Sequence, residues 1–177
     1  MKRVRAIVKF PIFILTLPIF LLASLTACAN SSTFTSADRN FAAMMISHHE
    51  QALEMSELAL RNSQSEVILN LARQIRDSQE PEIALMKSWG SAATHMHGSG
   101  EMGMLTKAEL AELRLARGEE FDQLFLVGMI KHHRGAIEMA QEVLDSQNPA
   151  VSELAREIIE TQKSEIAEMK LLLRSTD

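Results

Sequence analysis

The sequence predicts an all-α protein, a four-helix bundle built from two copies of one helical hairpin, and three observations carry that expectation. Breakers are sparse, with 7 Gly and 4 Pro in 177 residues, and Pro11 and Pro18 lie in an N-terminal leader. Aromatic residues make up 5% with no Tyr, whereas Met reaches 11. That is poor material for a β-sandwich and good material for packed helices. The third observation is an internal repeat whose apolar positions recur at helical spacing. Other classes fall away on composition. Hydrophobic residues at 46% and charged residues at 23% exclude a disordered or fibrous chain. A single Cys excludes an internal disulfide framework. A net charge of −5 argues against nucleic acid as a partner.

The leader comes first. Lys2, Arg3, Arg5 and Lys9 form a basic stretch, Phe10 to Leu25 is almost wholly apolar, and Leu25-Thr26-Ala27-Cys28 follows. Basic start, apolar core and small residues read as a secretory signal. A Cys directly after Leu-Thr-Ala resembles a bacterial lipobox, in which the leader at 1–27 is removed and Cys28 carries lipid. The alternative is an uncleaved anchor, since ~18 apolar residues just span a bilayer. Both put the remainder outside the cytoplasm, and the prolines suit a leader better than a packed helix. Residues 28–36 then form a polar tether. With four basic residues and no acid in the leader, the rest of the chain is more acidic than the whole. That balance favours cations over anionic surfaces.

Residues 37–174 hold the bundle. An offset of 84 aligns Asp38 with Asp122, Phe41 with Phe125, Met45 with Met129, His48-His49 with His132-His133, Ala52 with Ala136 and Met55 with Met139. An offset of 83 then aligns Leu71-Ala72-Arg73 with Leu154-Ala155-Arg156, Gln79 with Gln162, Glu82 with Glu165 and Met86 with Met169. The expected parts are repeat one at 37–90, a His/Met-rich linker at 91–105, a connecting helix at 106–118 and repeat two at 119–174.

Within repeat one, Phe41, Met45, His48, Ala52, Met55 and Ala59 step by three and four along one helical face. Arg61 to Ser65 breaks that helix, and a second covers about 66–89, with Pro81 expected to kink it. Thr106-Lys-Ala-Glu109 reads as a capping box opening the connecting helix. In repeat two, a helix over 119–145 is broken by Ser146 to Pro149, and the last helix begins at that proline. Helices of about 25 residues are roughly 37 Å long, a natural length for a bundle.

Chemistry is expected on the buried stripes. Met45, His48 and Met55 stack on one side of their helix, and Met129, His132 and Met139 do the same in the second copy. His49 and His133 point about 100° away and flank the same cavity. Thioether beside imidazole is a soft to borderline donor pair, which suits Cu(I), and by analogy Ag(I), better than hard cations. The facing stripes add Gln79, Glu82 and Met86, then Gln162, Glu165 and Met169. A carboxylate turned into a bundle core needs a partner. Glu82 and Glu165 therefore either orient imidazoles or ligate directly. Met at helical spacing is also ordinary core filler, and the Met86/Met169 pair stays open between the two roles. The linker contributes His95, Met96, His97, Met102 and Met104, a His/Met-rich tract that reads as a metal-capture segment or a flap. Ligand protonation adds one more expectation: His-dependent affinity weakens as pH falls through the imidazole range.

With Phe121-Asp122-x-x-Phe125-x-x-x-Met129-Ile130-x-His132-His133-x-x-Ala136-x-x-Met139-Ala140 in view, and Gln162-x-x-Glu165-Ile166-x-x-Met169 after it, the chain resembles the ferritin-like family catalogued as domain of unknown function family 305. The resemblance implies an extracytoplasmic four-helix fold, with copper binding and copper tolerance in some members. Carried over, it points to Met45, His48, His49 and Met55, to Met129, His132, His133 and Met139, and to the linker. The first copy begins Ala37-Asp38 where the motif has Phe-Asp.

Three functions compete. The first is a non-enzymatic protein that buffers Cu(I) or exchanges it with a donor or acceptor protein, held at a membrane through lipid on Cys28. The second is a ferritin-like two-metal redox enzyme. Its bundle needs Glu-x-x-His on two helices, whereas Met45 and Met129 precede His48 and His132 by three. The third is a metal-free structural bundle.

Overall fold

Thr35 opens the first helix. Its hydroxyl accepts from the Asp38 N–H at 3.1 Å, and the Asp38 carboxylate accepts from the Thr35 N–H at 2.7 Å, closing a capping box. The computed structural model describes residues 33–90 and 101–175, which lie in one of the chain's two compact units. Cys28, His95, Met96 and His97 lie outside the described residues, as do the expected leader and residues 28–32 of the expected tether.

Among the described residues the protein is all-α, with five helices: α1 (Ser36–Asn62), α2 (Glu66–Ser88), α3 (Lys107–Leu115), α4 (Gly118–Gln141) and α5 (Pro149–Ser175). A 3-10 turn at Glu101–Gly103 precedes α3. Helix α1 packs against α2 and α4 against α5 as two hairpins, and α1 and α4 join them. Among these residues no helix is long and apolar enough to cross a membrane.

The expected breaks hold, with shifted edges. Phe34 stacks on Trp89 with ring centroids 5.1 Å apart, so the end of the expected tether belongs to the fold. Helix α4 stops at Gln141, short of the expected 145, because the Glu142 and Val143 N–H groups bond three residues back and tighten the end into turns. Helix α2 runs without interruption through Pro81, which is exposed and so faces away from the packed side. The capping box at Thr106 and Glu109 forms as expected and opens α3.

Two long-range polar contacts bind the hairpins and the connecting segment. Ser146 Oγ donates to Asp38 at 2.7 Å, tying the α4–α5 turn to the start of α1. Burial alone would push the Asp38 carboxyl up, but Ser146 and Thr35 hold it below its ordinary range. Asn62 Nδ2 donates to the Arg114 carbonyl at 3.3 Å, which satisfies the end of α3 from the end of α1. The core divides into two apolar clusters. Met55, Leu71, Phe121, Phe125, Met129 and Met169 belong to one. Phe41, Met45, Met86, Trp89, Met139 and Ile158 belong to the other.

Candidate metal centre

Helical spacing turns His48 and His132 inward from α1 and α4, the two helices that join the hairpins. Their rings meet with centroids 3.7 Å apart and planes inclined by 37°. The adjacent His49 and His133 each turn back into their own hairpin. His49 Nε2 donates to Glu82 at 2.6 Å, and His133 Nε2 donates to Glu165 at 2.6 Å. The two His-His pairs have matching geometry, with the His48–His49 centroids 6.4 Å apart and the His132–His133 centroids 6.3 Å apart. All four imidazoles are buried, as are Gln79 and Gln162, each three residues before one of the two carboxylates in sequence.

Hydrogen bonding fixes most of the ring chemistry. His48 Nε2 lies 2.9 Å from the Met102 carbonyl, which can only accept, so Nε2 carries the proton. The carboxylates do the same for His49 and His133. That leaves Nδ1 of His48, His49 and His133 as lone-pair donors, and all three lack a hydrogen-bond partner. On His132 neither ring nitrogen has a partner of normal geometry. Burial, followed by the neighbouring His49, pushes the His48 imidazole down to about 3, and the Met102 carbonyl offsets this only in part. Burial, followed by His48, holds His132 well below its ordinary value. Both rings are therefore neutral at physiological pH, the form in which imidazole binds a metal.

Both side-chain polar atoms of Gln79, and Oε1 of Gln162, are also without partners. An unpartnered buried polar group costs roughly 1–3 kcal/mol. Unpartnered buried groups on this scale call for an explanation other than stability. Among the described residues, no group of three or more His, Cys, Asp or Glu side chains is arranged to hold a metal. Neutral imidazole is a borderline donor, which suits transition metals better than hard cations.

The predicted helix thioethers are buried within the apolar core. Met55, Met129 and Met169 pack in one apolar cluster, and Met45, Met86 and Met139 in the other, all 2% exposed or less. Met102 meets His48 through its backbone carbonyl, and Met104 is half-buried on the same segment.

Residue patterns alone did not single out Gln51, Gly103, Gly128 and Gly135. Gln51 Nε2 donates to the Leu105 carbonyl at 3.1 Å, and the Leu105 N–H donates to Gln51 Oε1 at 2.7 Å. A Cβ on Gly135 would overlap the Met102 carbonyl, so only glycine lets the segment lie against α4. The signal was present as a break in the repeat: with the offset of 84, Gly135 falls on Gln51 and Gly128 on Met44.

Fold and centre together define an all-α protein of paired helical hairpins with a buried imidazole core. The chain belongs to the family described as Domain of unknown function (DUF305), whose model matches residues 38–173. It is similar to a DUF305 fragment from Deinococcus radiodurans, at 34% identity and a TM-score of 0.75, over 80% of this chain and 97% of that one. A "putative secreted protein DUF305 from Streptomyces coelicolor" matches at 31% identity and a TM-score of 0.72, over 78% of this chain and 91% of that one. CopM in its Cu(I)-bound form matches at 31% identity and a TM-score of 0.66, over 80% of this chain and 97% of that one. CopM has also been solved in Cu(II)-bound and Ag-bound forms. No curated protein matches the chain.

Proposed function

We propose that this protein binds Cu(I), and Ag(I) by the same chemistry, outside the cytoplasm, and buffers or transfers copper as part of copper homeostasis and tolerance. The supporting architecture is read as a ferritin-like four-helix bundle of two duplicated hairpins. One observation carries the proposal: buried imidazoles whose Nε2 atoms are held by a carbonyl or a carboxylate while their Nδ1 atoms have no partner. Metal-ligating histidines have this pattern, because the acceptor behind the ring fixes its tautomer and raises its basicity.

In this reading His48 and His132, with His49 and His133, supply the nitrogen donors. Glu82 and Glu165 orient His49 and His133 rather than ligate. Gln79 and Gln162 are further polar groups within the same core. Met45, Met55, Met129 and Met139, with Met86 and Met169 beyond them, provide soft, polarizable surroundings and are candidate additional ligands. Met102 and Met104, with the linker's His95, Met96 and His97, remain candidates for first capture. Lipid on Cys28 would keep the domain at a membrane surface. CopM's copper-bound and silver-bound forms support the choice of metal. The two-metal enzyme has less support, since Glu82 and Glu165 are each taken up by one imidazole of their own hairpin.

Competition of the purified protein with a Cu(I) chelator tests the proposal. Substituting His48 and His132 together by Ala should abolish tight binding, and unchanged affinity would overturn it.

A further inference from the structure

We infer that the Met102 carbonyl is a built-in hydrogen-bond partner that selects which nitrogen of His48 faces the metal, and that Gln51 and Gly135 are positioning residues that hold it there. This rests on the imidazole reading above. Residues 102–105 form a short strap along α4, and several independent contacts fix its path. Leu105 is gripped by both polar atoms of the Gln51 amide, from α1. Its side chain lies against Gly128, where a Cβ would stand 3.2 Å from Leu105 Cδ2. The Met102 carbonyl and the Gly103 backbone press into the space that Gly135 leaves open one helical turn beyond Lys131. Gly128 and Gly135 are seven apart, so both openings lie on one face of α4.

Such a path has a conformational cost. Met102 sits at φ 55° and ψ 35°, in the left-handed region, which costs a non-glycine residue about 1 kcal/mol or more. That conformation aims the carbonyl at His48 Nε2, 2.9 Å away. Among the described residues the strap occurs once, while the imidazole pair is duplicated. His48 therefore has a fixed proton and one free nitrogen, whereas neither nitrogen of His132, its counterpart, has a hydrogen bond of normal geometry. One intrusion of backbone makes two sequence-equivalent ligands chemically unlike.

Gly135→Ala and Gln51→Ala separate the strap from the rest of the fold. Ala is favoured over Gly inside a helix by about 1 kcal/mol, so Gly135→Ala leaves α4 intact while forcing Met102 to move. Two readouts are taken on the full protein: the His48 tautomer by imidazole nitrogen NMR on the metal-free form, and Cu(I) affinity by chelator competition. The unsubstituted protein should carry its proton on Nε2. Each variant should shift that proton toward Nδ1 and lower affinity by about 10–100-fold, the usual effect of losing a partner behind a metal-bound imidazole. An Nε2 proton retained in Gly135→Ala, or a shifted tautomer with unchanged affinity, would overturn the inference. If His48→Ala itself leaves affinity unchanged, the imidazole reading fails instead, and the metal-free tautomer still decides whether the strap holds the ring.

Discussion

His133 Nε2 and Glu165 Oε2 stand 2.6 Å apart inside the second hairpin, and the same bond joins His49 to Glu82 in the first. Each carboxylate thus backs an imidazole on the neighbouring helix and leaves that ring's Nδ1 turned toward the core. Removing the carboxylate should therefore act on the metal through the ring. Glu82→Ala and Glu165→Ala are each expected to weaken Cu(I) binding by about 10–100-fold. The corresponding Gln variants, which keep an acceptor, should recover part of the loss. Chelator competition on the four variants checks this ordering, and equal losses for Ala and Gln would point to direct ligation.

The unpartnered amides predict the opposite sign for stability. Gln79→Met and Gln162→Met replace a buried amide lacking partners with an apolar side chain of similar length. Each should stabilise the metal-free protein by about 1 kcal/mol, seen as a higher denaturation midpoint in urea. A lower midpoint would mean the amides contribute to the metal-free fold.

Acid should weaken the metal-free protein through its buried imidazoles. Unfolded imidazoles titrate near about 6.5. Folded His48 titrates at about 3, and folded His132 well below the ordinary value. Between these limits the unfolded chain binds more protons than the folded one, so stability rises with pH. It is complete above the unfolded pKa and is lost as pH falls toward about 3, at up to about 1.4 kcal/mol per pH unit for each such ring. Urea midpoints should change little from about pH 7.5 to about 6.5, then fall down to about pH 4 in the parent protein and less in His48→Gln.

Asp38 supports the fold rather than the metal. It closes the α1 capping box and accepts from Ser146 across the hairpins. Asp38→Ala should cost about 1–2 kcal/mol, with thermal unfolding as the measure, and should leave metal affinity nearly unchanged in the folded fraction.

Much of this was legible in the sequence because periodicity reports burial directly. Phe41, Met45, His48, Ala52 and Met55 share a face, and all five are buried. The His-His pairs and the Glu residues that meet them stood out because both occur twice. The location of the metal donors was harder to read. Helical spacing places Met and His on one stripe and predicts that both are buried, but it does not tell whether sulfur and nitrogen converge. The pH expectation also shifts. Free imidazole values suggest proton competition through the imidazole range, whereas burial moves that of His48 to about 3. The strap was hidden for a topological reason. It depends on backbone returning over α4 after a long connection, and its trace in sequence is the mismatch of Gln51 with Gly135.

Cu(I) competition on the parent protein and the His48→Ala/His132→Ala double variant, with circular dichroism confirming the helices in both, bears most directly on the buried imidazole centre. Binding by these rings predicts a loss of at least about 100-fold in affinity with helicity retained. Equal Cu(I) affinity in the two folded proteins would contradict it.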